Sequence, residues 1–210
     1  MDNTIIFHHA PMSRSNIVHW MLEELGVPYR IEAISLERGD HKKPGYLKIN
    51  PMGKVPAIEH KGIVITEAAA ICAYLADEFP AAKLSVPVGD ARRGLYFKWL
   101  FFSPSCLEQA MLDKGNNRPP VPARASSYGD YDTVMDTVAQ AVADGPYLVG
   151  DQFTAADVVV GSCLQYGIMI KALPERAEFN AYLGRMRSRP ALQRSFAKNQ
   201  ALYAELHPTG

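Results

Sequence analysis

The chain has 210 residues, and its 22 Lys plus Arg balance 22 Asp plus Glu, so it carries no formal net charge at neutral pH. That balance argues against nucleic acid as a partner, because phosphate binding draws on clustered excess positive charge. A hydrophobic share of 48% with 10% aromatics argues against disorder, and the length suffices for one large domain or two small ones, each with a core.

Cys72, Cys106 and Cys163 are odd in number, widely spaced and without a C-x-x-C pair, which speaks against a disulfide framework and against a thioredoxin-type redox motif. The first residues, Met1-Asp2-Asn3-Thr4-Ile5-Ile6, lack the basic start and long apolar run of a signal peptide. No window approaches eighteen apolar residues, so a soluble cytoplasmic protein is expected.

In chain order, Thr4 to His9 is a β-branched and aromatic run closed by Ala10-Pro11, the pattern of a buried strand. Ile17, Val18, Met21, Leu22 and Leu25 then recur at helical spacing, with Gly26 as the C-cap. Tyr29 to Ile34 reads as a second strand, and Val55 to Glu59 with Ile63 to Ile65 flank Lys61-Gly62 as a hairpin. Thr66 to Phe79 is a helix with Ala68, Ile71, Cys72 and Leu75 inward, closed by Pro80. Beyond Pro80, Ala81 to Gly89 looks like a linker. After it come only helical patterns: Ala91 to Leu112, bent near Pro104, then Pro122 to Ala143, Ala155 to Lys171, Glu175 to Ser188 and Ala191 to Ala204. Asn116 to Pro122 is a polar, proline-rich loop, and Thr154-Ala-Ala-Asp157 has the form of a capping box. Val158 to Met169 is apolar nearly all round and should be the centre of the helical part. The expected division is an α/β domain over 1–80, a linker over 81–89 and an all-helical domain over 90–210.

Asn50-Pro51-Met52-Gly53-Lys54-Val55-Pro56-Ala57 reads as a tight turn and a short strand edge stopped by proline, with a helix start at Thr66-Glu67-Ala68. Backbone groups at Val55, the free N–H groups of that helix start and the Glu67 carboxylate would suit a small peptide bearing a carboxylate and an amine. His8-His9 does not suggest a metal site, since adjacent strand residues point to opposite faces.

Four blocks carry a family resemblance. Ser13-Arg14-Ser15 through Leu22-Glu23-Glu24-Leu25-Gly26-Val27-Pro28-Tyr29 looks like the first strand–helix unit of a bacterial glutathione transferase. Asn50 to Pro56 and Thr66-Glu67-Ala68-Ala69-Ala70-Ile71-Cys72-Ala73-Tyr74-Leu75 are similar to that family's turn and third-helix signatures, and Pro146 to Asp157 resembles its C-terminal folding motif. The resemblance, nearest the serine-type, theta/delta-like members of the cytosolic glutathione transferases, implies a thioredoxin-like N-terminal domain, an all-α C-terminal domain, a homodimer and glutathione as co-substrate. It further implies attack of the glutathione thiolate on small hydrophobic electrophiles in detoxification, with possible peroxide side activity. A non-catalytic ligand-binding or protein-interaction module on the same fold is the alternative.

A thiol near pKa 8.5 is only a few per cent ionised at pH 7, and a hydroxyl donating to the sulfur favours the thiolate. A lowering by two units corresponds to about 2.7 kcal/mol. Ser13 best matches the serine that follows the first strand; Ser15 and the Arg14 backbone N–H are the alternatives, and helix capping is the plain structural role for either serine. The absence of Tyr near Phe7 or His8, and of Cys near Ser13 to Ser15, leaves the serine type. The resemblance assigns Val55 to backbone pairing with the peptide, a cis Pro56, Glu67 to the γ-glutamyl amine, and His41, Lys42 and Lys54 to the glycyl carboxylate. Ala68 departs from the usual serine and loses one hydroxyl, a matter of about 1 kcal/mol. Candidates for the electrophile pocket are Tyr96, Trp99, Leu100, Ser103, Leu107, Met111, Tyr166 and Ile170; most of them are expected to be core, as aromatics at helical spacing usually are, and a minority to line the pocket. No metal is expected.

Overall fold

A computed structural model describes residues 3–119 and 121–208. Met1 and Asp2 of the amino-terminal segment, Pro120 of the proline-rich loop and residues 209–210 lie outside them. The described residues form two compact units, one reaching to Ala82 and including the segment from Arg189 onward, the other spanning Lys83–Ser188.

The first unit is built on strands β1 (Ile5–His9), β2 (Tyr29–Ala33), β3 (Ala57–His60) and β4 (Ile63–Thr66) in the order β2-β1-β3-β4. β1 runs parallel to β2 and antiparallel to β3, and β3 turns back into β4. The parallel pair needs a crossover, supplied by α1 (Ser15–Leu25). Ile17, Val18, Met21 and Leu22 of α1 are buried, as their spacing predicts, and Gly26 ends the helix at φ 65°. A 3₁₀ turn at Asp40–Lys42 and the four-residue α2 (Pro44–Leu47) fill a stretch for which the sequence offered no periodic signal. α3 (Ala68–Glu78) buries Ile71, Cys72, Leu75 and Ala76. It starts two residues later than the sequence suggests, because Thr66 is still paired with Ala57 in the sheet.

The second unit holds α4 (Arg93–Phe102), α5 (Glu108–Gly115), α6 (Tyr131–Ala143), α7 (Ala155–Met169) and α8 (Ala177–Arg187). The single helix expected over Ala91 to Leu112 is divided where Pro104 removes a donor, and a π-helical turn at Ser103–Leu107 absorbs the lost bond. The helix expected from Pro122 starts only at Tyr131, where Asp130 caps the Thr133 N–H at 2.9 Å. α7 is the buried centre: Ala155 through Gly161, Cys163 and Leu164 are all buried. Its start carries the predicted capping box, with Asp157 Oδ2 accepting from the Thr154 N–H at 2.9 Å. Gly167 sits so close to its neighbours that a Cβ would lie 2.4 Å from Leu173 Cδ1 and 2.5 Å from Met111 Sδ. Gly167→Ala is therefore expected to destabilise this unit by about 1–3 kcal/mol through overpacking, read as a lower urea midpoint at unchanged slope.

Two features differ from the sequence division. The stretch expected to be a linker is tied into the second unit: Leu84 and Val86 are buried, and the Leu84 carbonyl accepts from the Ala155 N–H at 2.8 Å. Gln152 Nε2 donates to the Lys83 and Ser85 carbonyls at 2.9 and 3.0 Å. The last helix, α9 (Pro190–Leu206), groups with the first unit rather than with 90–188, because it packs along α1. Its attachment is ionic as well as apolar. Arg189 makes a two-pronged pair with Glu24 at 2.7 Å, and Lys198 and Arg194 reach Glu23 at 2.5 and 3.1 Å.

Candidate functional site

The strand register decides which loops meet. Ala57, the first residue of β3, lies between His8 of β1 and Thr66 of β4. The segment leaving β1 (Ala10 to Arg14), the one entering β3 (Gly53 to Pro56) and the one leaving β4 (Glu67-Ala68) therefore emerge at the same end of the sheet. The loop after β2 joins them, since the Ile34 N–H donates to the His9 carbonyl at 2.8 Å and the chain continues toward Asp40–Lys42.

Val55-Pro56 is a cis peptide bond. Among the described residues neither backbone group of Val55 forms a hydrogen bond within the chain, so this edge is free to pair with an extended ligand. The turn ahead of it is braced from within. Asn50 Oδ1 accepts from the Met52 N–H at 3.0 Å, and the Lys54 carbonyl accepts from Tyr46 Oη at 2.6 Å and Asn50 Nδ2 at 2.8 Å. Gly53 has φ 59°, and a Cβ there would stand 2.8 Å from the His41 carbonyl oxygen; only glycine allows this contact between the two loops. Lys42 Nζ donates to the Met52 carbonyl at 3.3 Å, which brings His41 and Lys42 to the same turn. His41 Nδ1 is buried without a partner in the chain, and the Lys54 side chain is exposed.

Glu67 is exposed and adopts φ 67°, ψ 115°. A non-glycine residue in that region carries strain of about 1–3 kcal/mol, which clusters at ligand sites. No side chain caps α3, so the N–H groups of its first turn, beginning at Ala68, lie open at the positive end of the helix.

Ser13 is half-buried and Ser15 is buried. Ser13 Oγ donates to the Ala10 carbonyl at 2.7 Å, accepts from the Ser15 N–H at 3.1 Å and lies 2.8 Å from Ser15 Oγ. Arg14, half-buried, is the N-cap of α1 and offers no side-chain cap. Behind the serines, His9 Nδ1 is 2.8 Å from Ser15 Oγ, and His9 Nε2 is 2.8 Å from Asn199 Oδ1 on α9. Burial pushes His9 down to about 3 and His19 to about 4, so both rings are neutral at pH 7. The roles of His9 and Asn199 were missed from the sequence, because an adjacent His8-His9 pair on a strand and an Asn on a late helix give no sign that His9 and Asn199 meet. His8 points the other way, to Glu59 Oε1 at 2.8 Å, on a face where a cleft of about 290 Å³ lined by Ile6, His8, Arg30, Glu32 and Tyr46 contains none of the predicted site residues. Among the described residues no group of three or more His, Cys, Asp or Glu is placed to hold a metal, and no helix is long and apolar enough to cross a membrane.

The expected pocket residues fare differently. Tyr96, Trp99, Leu100, Ser103, Leu107 and Met111 are buried in the second unit, where α4 and the π turn pack on α7. The period of an apolar stripe marks a buried face but not what buries it. Tyr166 is half-buried and Ile170 exposed. The exposed ring on α4 is Phe101, on the opposite face.

The family model for the glutathione S-transferase N-terminal domain matches residues 3–77. "Glutathione S-transferase 3" of Schizosaccharomyces pombe is 32% identical over 170 residues, spanning 73% of this chain and 70% of that protein. The chain belongs to the glutathione S-transferase family. Solved structures agree with this. A theta-class glutathione S-transferase from Xanthomonas axonopodis pv. citri with glutathione bound is 28% identical, with a TM-score of 0.77 over 92% of this chain and 97% of that one. A glutathione transferase from Methylococcus capsulatus is 26% identical, with a TM-score of 0.77 over 94% and 100%. The thioredoxin-like sheet unit and the helical region are thus those of the family.

Proposed function

We propose that this chain is a serine-type glutathione transferase in which the Ser13 hydroxyl holds the glutathione sulfur as thiolate for attack on a small hydrophobic electrophile. The observation that carries the reading is the meeting, at one end of the sheet, of an unpaired Val55 backbone, an uncapped α3 start with Glu67, and a half-exposed serine. Val55 pairs with the cysteinyl backbone, the first N–H groups of α3 receive the γ-glutamyl carboxylate, and Glu67 takes its amine. His41, Lys42 and Lys54 serve the glycyl carboxylate. The thiol proton leaves to solvent, and the Ser13 O–H turns from the Ala10 carbonyl to the sulfur. Peroxide reduction by the same thiolate, a homodimeric state and a cytoplasmic location belong to this reading as its finer expectations.

Ser13→Ala is expected to lower kcat/KM for conjugation at pH 7 by about 100-fold, the equivalent of two pKa units in the bound thiol. Glutathione affinity should change little, and activity should recover as pH rises. Unchanged conjugation in that variant would remove the role given to Ser13. Ala68 favours a second reading, a non-catalytic binding module, because it lacks the hydroxyl that would hold the γ-glutamyl carboxylate. Calorimetric titration separates the two: no heat of binding at millimolar glutathione favours the module.

A further inference from the structure

Ser13 and Ser15 stand within hydrogen-bond distance of each other, and each has a single proton to give. We propose that Ser15, His9 and Asn199 form the inner end of a one-way hydrogen-bond chain that commits the Ser15 proton to His9 and leaves Ser13 as the hydroxyl that meets a ligand's sulfur. The role given to Ser13 rests on the functional reading above; the chain of hydrogen bonds does not.

The direction follows from two ends that can only accept. At the outer end the Glu23 carboxylate accepts from Tyr29 Oη at 2.5 Å and is paired with Lys198 at 2.5 Å and Arg194 at 3.1 Å. Burial works against its charge, but the hydrogen bonds from Lys198, Tyr29 and Arg194 prevail and hold it below the usual carboxylate range. Tyr29, having given its proton to Glu23, must accept from His19 Nε2 at 2.9 Å. His19 then presents a bare Nδ1 to Asn199 Nδ2 at 2.7 Å. The amide orientation is set independently from α9: Asn199 Nδ2 lies 2.8 Å from the Ser195 carbonyl, which has no proton to offer. Both Nδ2 protons are thereby assigned, and Oδ1 faces His9 Nε2 at 2.8 Å as an acceptor. His9 therefore carries its proton on Nε2. Ser15 Oγ lies 2.7 Å from the Ala10 carbonyl as well as 2.8 Å from His9 Nδ1. That carbonyl is also served by Ser13 Oγ at 2.7 Å, whereas a bare buried Nδ1 has Ser15 as its one donor among the described residues, so the Ser15 O–H goes to His9.

Ser15 Oγ is left to accept, from the Ala10 N–H at 3.1 Å and from Ser13 at 2.8 Å. The Ser13 proton has only the Ala10 carbonyl and Ser15 Oγ as resting partners, and a thiolate draws it away from either. His9, Ser15 and Asn199 are buried, so water does not scramble the chain. The groups facing the two rings are each other at 5.1 Å, Phe7, Ser15 and Tyr29, with Glu23 on α1 and Lys198 and Asn199 on α9. His9 and Asn199 are thus positioning residues, and α9 reaches the serine pair through them.

The test begins with long-range ¹H–¹⁵N spectra of ring-labelled histidines in the full-length, ligand-free protein at pH 7. His9 and His19 should both be neutral with the proton on Nε2; an Nδ1–H form or an imidazolium at either ring overturns the chain. In Asn199→Asp the new carboxylate can only accept, so His19 should gain a proton on Nδ1 while His9 keeps its own on Nε2. A His19 Nδ1 that stays bare in that variant contradicts the assignment. The third reading is thiolate absorbance near 240 nm of bound glutathione against pH. Ser13→Ala should raise the midpoint by about one unit or more, and Ser15→Ala by less; the reverse order overturns the role given to Ser13. Failure to bind glutathione removes the functional reading and the Ser13 role with it, whereas wrong ring protonation removes the chain itself.

Discussion

Asp157→Ala should cost about 3–5 kcal/mol of stability, the range for leaving several buried donors without their acceptor. Asp157 is fully buried, and its oxygens serve four donors. Oδ1 accepts from the Leu148 N–H and Tyr182 Oη, both at 2.9 Å, and Oδ2 from the Thr154 N–H at 2.9 Å and Thr154 Oγ1 at 3.1 Å. One side chain therefore caps α7, holds the turn at Leu148 and anchors α8 through Tyr182. Burial pushes its carboxyl above the usual range against these hydrogen bonds, so removing the group relieves some desolvation but strands every partner. Asp157→Asn is isosteric yet turns an NH₂ toward two of the donors, and should lose about half as much. Urea denaturation at pH 7 of wild type and both variants checks this, and a cost for Asp157→Ala below about 1 kcal/mol, that of one ordinary hydrogen bond, would refute it.

The second large effect is loss of stability in mild acid. His9 and His19 have folded pKa values of about 3 and about 4, lowered mainly by burial, against an ordinary 6.5. Between those values the unfolded chain binds protons that the folded chain refuses, so stability rises with pH and is lost as pH falls below 6.5. Each ring contributes a slope of up to about 1.4 kcal/mol per pH unit, so the pair removes about 3 kcal/mol between pH 6.5 and pH 5. Glu23, held low chiefly by hydrogen bonds from Lys198, Tyr29 and Arg194 that outweigh its burial, adds to the loss only as pH falls into the ordinary carboxylate range and below it. Asp157 and the half-buried His207 are shifted upward and act with the opposite sign. Urea midpoints from pH 7.5 to 5.0 should fall steadily below 6.5; a flat profile across that window would show that the two rings are not held neutral.

Much of the fold was legible because it depends on local pattern. The α1 stripe from Ile17 to Leu25 with Gly26 after it, the Lys61-Gly62 hairpin and the Thr154–Asp157 box each sit where period or capping places them. Errors arose where pairing or packing overrides propensity. Thr66 has the look of a helix start, yet its strand partner Ala57 keeps it in the sheet. Ala91 to Leu112 reads as one bent helix, yet Pro104 divides it with a π turn at Ser103–Leu107. Of the predicted site, the segments around Ser13, Val55 and Glu67 could be named from motifs, but only the His8–Ala57–Thr66 register brings them to one end of the sheet.

By itself the sequence determined the order of elements, the two-part composition of the chain and the motif blocks of its family, since these rest on spacings of 2 and 3.6 residues and on residues with restricted backbones. Tertiary structure alone decided that α9 joins the sheet unit, that Glu23 and Glu24 dock it through Arg189, Arg194 and Lys198, and that Asn199 meets His9 behind the serines. Contacts between residues 9 and 199 leave no periodic trace in either segment; they exist only once the chain has closed on itself.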